Sequence, residues 1–296
     1  MTADDPTTSR PADAARDTAA DTAADTTADS TVGSDRPLAV VTGASSGIGL
    51  ELAKQFAEHG FDLLVAAEDD EIAVAAAVLR AEGGGEVEAV QVDLRNEQGV
   101  AALYSAIRAD GRPLAAIALN AGHGQGGAFV DTDLADELSI IDLNVVSTVR
   151  LAKLVLRDMV AADAGRVLVT SSIASTMPGS FQAVYNASKS FLQSFTEALQ
   201  NELKDTGVTL TSLMPGPTDT DFFERADMAD DTAVGTSKKD DPAQVARQGF
   251  EALMDGKDRV VGGGLKTKVQ EAAGKAMPDK LKAAMHRRMA EPGSGD

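Results

Sequence analysis

Residues 38–49 read Leu-Ala-Val-Val-Thr-Gly-Ala-Ser-Ser-Gly-Ile-Gly, a short apolar run that ends in a glycine-rich turn. Ile48, Leu52 and Phe56 then recur at helical spacing. Glycines let the backbone of such a turn approach a phosphate, and the helix N-terminus adds free N–H groups and the positive end of its dipole. The spacing is G-x-x-x-G-x-G rather than the common G-x-G-x-x-G dinucleotide fingerprint. The stretch therefore predicts a strand–turn–helix unit that binds phosphate.

The chain that follows this unit alternates between strand-like and helix-like patterns. Further strands are predicted at 62–67, 87–92, 114–120, 166–171, 208–214 and 259–261. Helices are predicted at 47–59, 70–82, 96–109, 133–160, 183–204 and 242–255. Regular alternation implies βαβ units, so we expect a doubly wound parallel sheet with helices on both faces, a three-layer αβα domain over residues 37–264. No second domain is expected.

The overall composition excludes several classes of protein. The 296 residues include no cysteine and carry a net charge of −19. Disulfides, thiolate metal sites and a cysteine nucleophile are therefore excluded, and the charge opposes binding to nucleic acid. His59, His123 and His286 are scattered, so no metal site is predicted. Since no signal peptide or membrane span is evident, a cytoplasmic location is expected.

Both ends of the chain differ from the predicted domain. Residues 1–36 hold eight aspartates against three arginines and almost no large aliphatic side chain, which predicts a disordered tail. Residues 265–296 form a basic amphipathic extension, in which 266–289 hold seven Lys or Arg against two acids. Pro278 divides this arm into two short helices. Docking on the acidic body or on a neighbouring subunit, membrane contact and disorder all remain open for it.

Tyr185 and Lys189 lie four residues apart in a segment with helical periodicity, so they share one helix face. An ammonium beside a phenol lowers the phenol's pKa from about 10. An ordinary surface pair would give the same spacing, but Thr170-Ser171-Ser172 just before it marks a strand end, where open α/β sheets bind ligands. The buried stripe of this helix is predicted from its apolar residues, which are Val184, Ala187, Phe191, Phe195 and Ala198.

These motifs together resemble the short-chain dehydrogenase/reductase family, which has a Rossmann-like fold, over about residues 38–262. The matching positions occur in the family's order: Thr42–Gly49, Asp93, Asn120-Ala121-Gly122, Asn144, Ser172, Tyr185 with Lys189, and Pro215-Gly216. Ser172 precedes Tyr185 by 13 residues, the family's usual interval, and is therefore chosen over Ser171. Leu119 departs from the pattern, since the family usually has Asn there.

The resemblance implies an oxidoreductase that transfers a hydride between a nicotinamide and a carbonyl–alcohol pair. Tyr185 would be the general acid in reduction and the general base in oxidation. Lys189 would lower the pKa of Tyr185 and hold the nicotinamide ribose. Ser172 would hydrogen-bond the substrate oxygen as charge develops there, and Asn144 would hold a water in a proton relay behind Lys189.

The resemblance also implies an NAD(P) site built from several turns. The glycine turn would hold the pyrophosphate, Asp93 would meet the adenine edge, and Asn120 would secure the central strands. Pro215, Gly216 and Thr220 would approach the nicotinamide carboxamide and the phosphates. The predicted cofactor-binding residues are Thr42, Gly43, Ser45, Ser46, Gly47, Ile48, Gly49, Glu68, Asp93, Leu94, Asn120, Ala121, Gly122, Tyr185, Lys189, Pro215, Gly216, Thr218 and Thr220.

The end of the second strand bears on the choice between NAD and NADP. Relatives that prefer NAD usually place Asp at position 67, which is Ala here, and relatives that prefer NADP usually place a basic residue at 68 or 46. Glu68 and Ser46 occupy those positions instead. Because a carboxylate repels a 2′-phosphate, we predict a preference for NAD(H), with Glu68 or Asp69 accepting from the adenosine ribose.

The segment 220–241 would close over a small-molecule carbonyl or alcohol substrate, with Phe222, Phe223, Met228 and Val234 as a hydrophobic wall. His123 is interpreted as an exposed loop residue rather than a substrate contact. A homodimer or homotetramer is expected from the family.

Two alternative functions remain at this stage. One is a dinucleotide sensor or scaffold without turnover, which would have no chemical need for the full Asn144, Ser172, Tyr185 and Lys189 set. The other is a sugar-nucleotide epimerase, which the glycine spacing and the absence of a predicted substrate domain disfavour.

Overall fold

The centre of the molecule is a parallel sheet, which a computed structural model defines for residues 35–275 and 277–295. Its seven strands within that part of the chain are β1 (Leu38–Thr42), β2 (Asp62–Ala67), β3 (Val87–Gln91), β4 (Leu114–Leu119), β5 (Gly165–Thr170), β6 (Val208–Pro215) and β7 (Arg259–Gly262). They lie in the order β3-β2-β1-β4-β5-β6-β7. The chain order reverses between β1 and β4, so a ligand crevice forms at the carboxyl ends of these strands. The predicted doubly wound α/β fold is confirmed.

Helices connect the strands and cover both faces of the sheet. They are α1 (Gly47–Glu58), α2 (Glu71–Gly83), α3 (Glu97–Ala109), α4 (Leu134–Ile140), α5 (Thr148–Ala161), α6 (Ala183–Glu202), α7 (Phe222–Arg225), α8 (Ala233–Thr236), α9 (Pro242–Met254), α10 (Leu265–Lys275) and α11 (Asp279–Ala290). The helix predicted at 133–160 is interrupted by a π-helical segment, Ile141–Ser147. A π segment inside a helix often marks a functional site, and this one carries Asn144. No helix among the described residues is long and apolar enough to cross a membrane.

The side chains of β1 point alternately to the two faces of the sheet and pack in two cores, one on each face. Ala39 and Val41 pack in the core that also holds Phe56 of α1. Leu38 and Val40 pack in the core on the other face. Because every residue of β1 is buried, this strand reads as a continuous apolar run, as expected of a central parallel strand.

The buried face of α6 differs from the predicted one. Ala187, Phe191 and Ala198 are exposed, whereas the largely polar residues Asn186, Ser188, Lys189, Leu192 and Thr196 face inward. The polar side chains can be buried because they are hydrogen-bonded. Ser188 donates to Tyr185 O at 2.7 Å and Thr196 donates to Leu192 O at 2.8 Å. Hydrogen bonding removes most of the cost of burying such groups. Ala187, Phe191 and Ala198 are therefore left at the surface, whereas Val184 and Phe195 are half-buried and Phe195 packs against the core.

The basic arm folds back onto the same chain in two helices, α10 and α11. Ala290 is buried in a small cluster with Phe223, Ala226 and Met228 of segment 220–241. Beyond α11, Gly293 N donates to Asp231 Oδ1 at 2.8 Å. The arm therefore packs on the segment that the sequence predicts to close over the substrate. The predicted tail lies outside the described residues except for its last two positions.

Candidate active site

A cavity opens at the carboxyl ends of β1, β4, β5 and β6, where the strand order predicts a ligand crevice. The structure brings the predicted site residues together around it, with two exceptions. Thr42 and Asn144 are not part of its lining; both are buried behind it. Several residues that line the cavity were not predicted from the sequence, namely Arg95, Met177, Gln182, Arg225, His286 and Met289.

The glycine turn forms the part of the cavity suited to a phosphate. Gly43 and Gly47 have φ angles of +66° and +56°, which favour glycine over other residues. A Cβ on Gly49 would lie 1.9 Å from Gly43 O, so this close approach of helix and turn also requires glycine. Ser46 begins α1 without a side-chain cap, so the first amides of α1 lack that partner. The turn therefore fits the pyrophosphate of a dinucleotide.

Thr42 and Asn120 connect neighbouring strand ends through hydrogen bonds. Asn120 also lines the cavity, whereas Thr42 does not. Thr42 Oγ1 donates to Ala118 O at 3.2 Å and accepts from Asn120 N at 3.0 Å. The Asn120 side chain donates to Thr42 O at 3.1 Å and accepts from Thr170 Oγ1 at 3.0 Å. The structure thus corrects the position expected for Thr42, because its hydroxyl is used within the strands. Asn120 ties β1, β4 and β5 together beside the cavity.

Tyr185 and Ser172 meet inside the cavity. Burial raises the pKa of Tyr185 to about 12, and a hydrogen bond with Ser172 acts in the opposite direction. The neighbouring Ser171 instead donates to Lys189 O at 3.1 Å and is committed to the backbone of α6. The expected lowering of the Tyr185 pKa by Lys189 is not found: Ser172 is the side chain that lowers this pKa, and the effect of burial is larger.

Lys189 lies behind the phenol of Tyr185, with its Nζ 5.8 Å from the centre of the tyrosine ring. Nζ donates to Thr170 O at 2.9 Å. Burial lowers the pKa of Lys189 to about 8. A buried lysine with such a pKa can exchange a proton near neutral pH.

Asn144 lies on the π-helical segment and supports the loop in front of Lys189. Its amide accepts from His123 N at 3.0 Å and donates to His123 O at 2.9 Å. It also donates to Ser188 Oγ at 3.0 Å. A Cβ on Gly122 would lie 2.9 Å from Asn144 Oδ1 and 3.3 Å from Lys189 Nζ, which shows how closely these groups approach. His123 is half-buried rather than exposed, and its Nε2 lies 3.1 Å from Ser139 Oγ.

The opposite end of the cavity, beyond β2 and β3, is acidic. Arg95 forms ion pairs with Glu68 and, at 2.9 Å, with Asp93. Although burial would raise the pKa of Asp93, the hydrogen bonds from Arg95 hold it below its ordinary value. Asp69 Oδ2 accepts from Ser45 at 2.9 Å. Its Oδ1 is buried and makes no hydrogen bond within the described residues, so it can accept one from a ligand hydroxyl.

Segment 220–241 covers the tyrosine end of the cavity with aromatic side chains. The rings of Phe222 and Tyr185 have centroids 5.2 Å apart. A Cβ on Gly124 would come within 2.8 Å of Phe222 and 3.1 Å of Tyr185, so only glycine leaves this space. The predicted hydrophobic wall is present: Phe222, Phe223 and Val234 line the cavity, and Met228 packs behind them.

Most of the residues around the cavity lie in a part of the chain that is similar to a known protein family. The family model described as short chain dehydrogenase matches residues 37–231, a range that contains the glycine turn, Ser172, Tyr185 and Lys189. The protein belongs to the short-chain dehydrogenase/reductase family. The resemblance found in the sequence motifs is thereby confirmed.

Relatives and solved structures agree with this assignment. This dehydrogenase is 30% identical over 218 residues to an uncharacterised oxidoreductase of Staphylococcus saprophyticus, covering 73% of this chain and 91% of the relative. It matches the structure of a short-chain dehydrogenase from Sphingobium yanoikuyae in complex with NADPH, with a TM-score of 0.71, 29% identity and coverage of 76% and 87% of the two chains. For a Burkholderia phymatum member of the family in complex with NAD, the TM-score is 0.71, the identity 27% and the coverage 81% and 91%.

The family assignment and the fit of the cavity settle the class of reaction. This dehydrogenase is an NAD(P)-dependent oxidoreductase acting on a carbonyl–alcohol pair. The cavity suits that cofactor in two independent respects: a glycine turn at the N-terminus of α1 lines it, and the buried Oδ1 of Asp69 can accept a hydrogen bond from a ribose hydroxyl.

Proposed function

We propose that Tyr185 is the general acid–base of this dehydrogenase, assisted by Ser172, Lys189 and Asn144, and that its substrate is a hydrophobic ketone or the matching secondary alcohol. The observation that carries the proposal is the meeting of Ser172, Tyr185 and Lys189 at one buried end of the cavity. Aromatic and aliphatic side chains enclose that end, which supports an apolar substrate.

The proton step follows from the state of the phenol. When bound, the nicotinamide supplies or accepts the hydride at the carbonyl carbon. Tyr185 donates its hydroxyl proton to the carbonyl oxygen in reduction and takes a proton from the alcohol in oxidation. Its pKa of about 12 keeps the phenol protonated at neutral pH, so it is ready to act as an acid. Ser172 hydrogen-bonds the same oxygen as negative charge develops on it.

Lys189 and Asn144 support the return of the proton to Tyr185. The pKa of Lys189, near 8, allows its ammonium to lose and regain a proton close to working pH. Asn144 holds the His123 backbone and Ser188 on either side of this path. We assign it the role of positioning a water between Lys189 and solvent.

A labelled cofactor tests the proposed reaction directly. Reduction of a hydrophobic ketone with NADH that carries deuterium at both C4 positions is expected to place one deuterium on the carbinol carbon. The variant Ser172→Ala is expected to lower kcat by about a hundredfold, as for loss of an oxyanion donor. Product without the label, or an unchanged kcat in the Ser172 variant, would refute the assigned roles.

We further propose that the enzyme prefers NAD(H). Glu68, Asp69 and Asp93 outnumber Arg95 at the adenosine end, and Arg95 is already bound to two of them. A 2′-phosphate would add charge of the same sign to this acidic end, which disfavours NADPH. A ribose hydroxyl, in contrast, can donate to the unpaired Oδ1 of Asp69.

Reversing the charge at position 68 tests this preference. Glu68→Arg is expected to lower the ratio of kcat/KM for NADH to that for NADPH by about tenfold or more, because attraction replaces repulsion at the 2′ position. Glu82→Arg, an exposed change of the same charge on α2 outside the cavity lining, serves as the control. Equal ratios in the wild type and in Glu68→Arg would show that this end does not select the cofactor.

A homodimer or homotetramer is proposed, with the exposed residues Ala187, Phe191 and Ala198 of α6 in its interface. Phe191 is 43% exposed, and its ring stacks on Phe195 with centroids 5.9 Å apart. Leu138 and Ile141, next to α6 in the fold, are also exposed. A surface of this kind is suited to a second copy of the chain. The cytoplasmic location stays a prediction.

A further inference from the structure

Helix α11 forms part of the cavity wall around Tyr185. His286 and Met289 line the cavity together with Phe222 and Phe223. The helix is held there because Ala290 is buried against Phe223. His286, Met289 and Ala290 lie beyond the part of the chain that matches the family model, 37–231. This wall is therefore contributed by the C-terminal arm and not by the shared catalytic core.

His286 is fixed in one orientation by the loop that precedes α6. The residue is only 5% exposed, and its Nδ1 lies 2.9 Å from Ser180 O. Ser180 Oγ in turn donates to Ala283 O at 3.3 Å, and the Arg287 guanidinium stacks over the Phe181 ring at 5.2 Å. Three contacts thus tie α11 to the loop that leads into Tyr185.

The hydrogen bond of His286 sets the chemistry of its other nitrogen. Because a carbonyl oxygen only accepts, Nδ1 carries the proton of this bond. In the neutral ring Nε2 is then a hydrogen-bond acceptor. Burial lowers the pKa of His286, which favours that neutral ring. Within residues 35–275 and 277–295, Nε2 has no hydrogen-bond partner.

Apolar side chains lie close to α11. Met177, Phe223, Val234 and Met289 line the cavity that His286 lines, and Phe223 and Val234 share an apolar cluster with Ala290 of α11. A polar group held rigidly in an apolar pocket discriminates strongly, since a ligand that lacks the matching group leaves it unpaired. The matching group for an acceptor is a donor, such as a hydroxyl.

We propose that His286 is a substrate-recognition residue whose Nε2 accepts a hydrogen bond from a substrate hydroxyl remote from the reacting carbonyl. The substrate class is then a hydrophobic hydroxyketone, or the corresponding diol in the oxidative direction. This inference rests on the proposed function, because Tyr185 defines the reacting end of the cavity.

The test compares paired substrates in three proteins. Medium-chain methyl ketones and their terminal hydroxy derivatives are used as probes, each derivative against its own parent ketone. The wild type, His286→Asn and His286→Gln are compared by kcat/KM and by dissociation constants of the complexes formed with oxidised cofactor, in which no turnover occurs. Asn can keep the donor to Ser180 O but has no atom at the Nε2 position, whereas Gln places an amide there.

The wild type is expected to favour at least one hydroxy derivative about fivefold or more, the effect of one net hydrogen bond. His286→Asn is expected to bring that ratio close to one, and His286→Gln to retain part of it. The proposal is overturned if the wild type has the same kcat/KM and the same dissociation constant for both members of every pair. It is also overturned if the ratio in His286→Asn equals that of the wild type. If the Asn variant does not fold, the wild-type ratio and the Gln variant decide in the same way.

Tyr185→Phe separates this inference from the proposed function. Turnover that survives in Tyr185→Phe refutes the proposed function whatever His286 does. Loss of turnover in Tyr185→Phe, together with a His286→Asn ratio equal to that of the wild type, refutes the recognition role alone.

Discussion

Tyr185 and Lys189 sit in the same buried pocket, and burial moves both pKa values toward the uncharged forms. The pKa of Lys189 falls from 10.5 to about 8 and that of Tyr185 rises from 10.0 to about 12. The protein alone thus holds a neutral phenol beside a lysine that loses its proton easily. Bringing an ionised form into this pocket costs free energy, and that cost can be measured as a dependence of stability on pH.

Lys189→Met tests this cost without added cofactor. Between about pH 8 and 10.5 the unfolded chain still holds the lysine proton while the folded protein has lost it, so the free energy of unfolding rises with pH. Relative to Lys189→Met, the wild type is expected to gain about 3 kcal/mol over that range. Denaturant unfolding at several pH values measures the difference, and Tyr185 is common to both proteins. A difference that stays constant with pH would contradict the assigned burial.

Two glycine positions allow an effect on the free energy of unfolding to be distinguished from an effect on cofactor affinity. Gly47 has φ +56°, and an added Cβ would lie 2.9 Å from Thr220, another residue that lines the cavity. Gly84 at the end of α2 has φ +62° and nothing within 4 Å of its added Cβ. Alanine at either position is expected to lower the free energy of unfolding by about 1 kcal/mol or more, since both angles disfavour L residues.

Only Gly47→Ala is expected to weaken binding of NADH, by about tenfold or more, because its methyl group enters the phosphate site. Fluorescence titration with NADH measures the affinity, and thermal unfolding measures the stability of both variants. Equal affinities in Gly47→Ala and Gly84→Ala would show that the turn does not hold the cofactor.

An element can be predicted from the sequence when the contacts that determine it are local in the chain. Contacts between distant positions leave no such pattern. The strands and the glycine turn are predictable because their signals, apolar runs and glycine spacing, are local. The buried face of α6 was predicted wrongly, because Ser188 and Thr196 satisfy their hydrogen bonds inside the protein and leave Phe191 outside. His286 gave no signal at all, since its contact with Ser180 joins positions 106 residues apart.

The charge distribution of the whole molecule is uneven. The chain carries a net charge of −19, yet its C-terminal arm is basic and packs on segment 220–241. Ala187, Phe191 and Ala198 of α6 lie on the surface of this acidic protein. Net charge keeps such a protein soluble, whereas a contiguous apolar surface favours self-association.

Phe191→Glu tests the proposed oligomer. The wild type is expected to have the mass of a dimer or tetramer in light scattering, and Phe191→Glu to shift toward the monomer because it places a charge in the buried interface. Val74→Glu on α2, at a position that is 66% exposed, is the matched control and should keep the wild-type mass. A wild-type monomer at micromolar concentration would rule out this interface.

The central claim, that Tyr185 performs the proton transfer of a nicotinamide-dependent reaction, is tested most directly by turnover of a carbonyl panel with NADH and NADPH. The wild type and Tyr185→Phe are measured together, and cofactor binding is followed separately by fluorescence. We predict oxidation of NADH by the wild type, loss of at least about a hundredfold in kcat for Tyr185→Phe, and unchanged folding with cofactor binding retained. Turnover that survives in Tyr185→Phe, or a wild type that binds neither dinucleotide, would contradict the account.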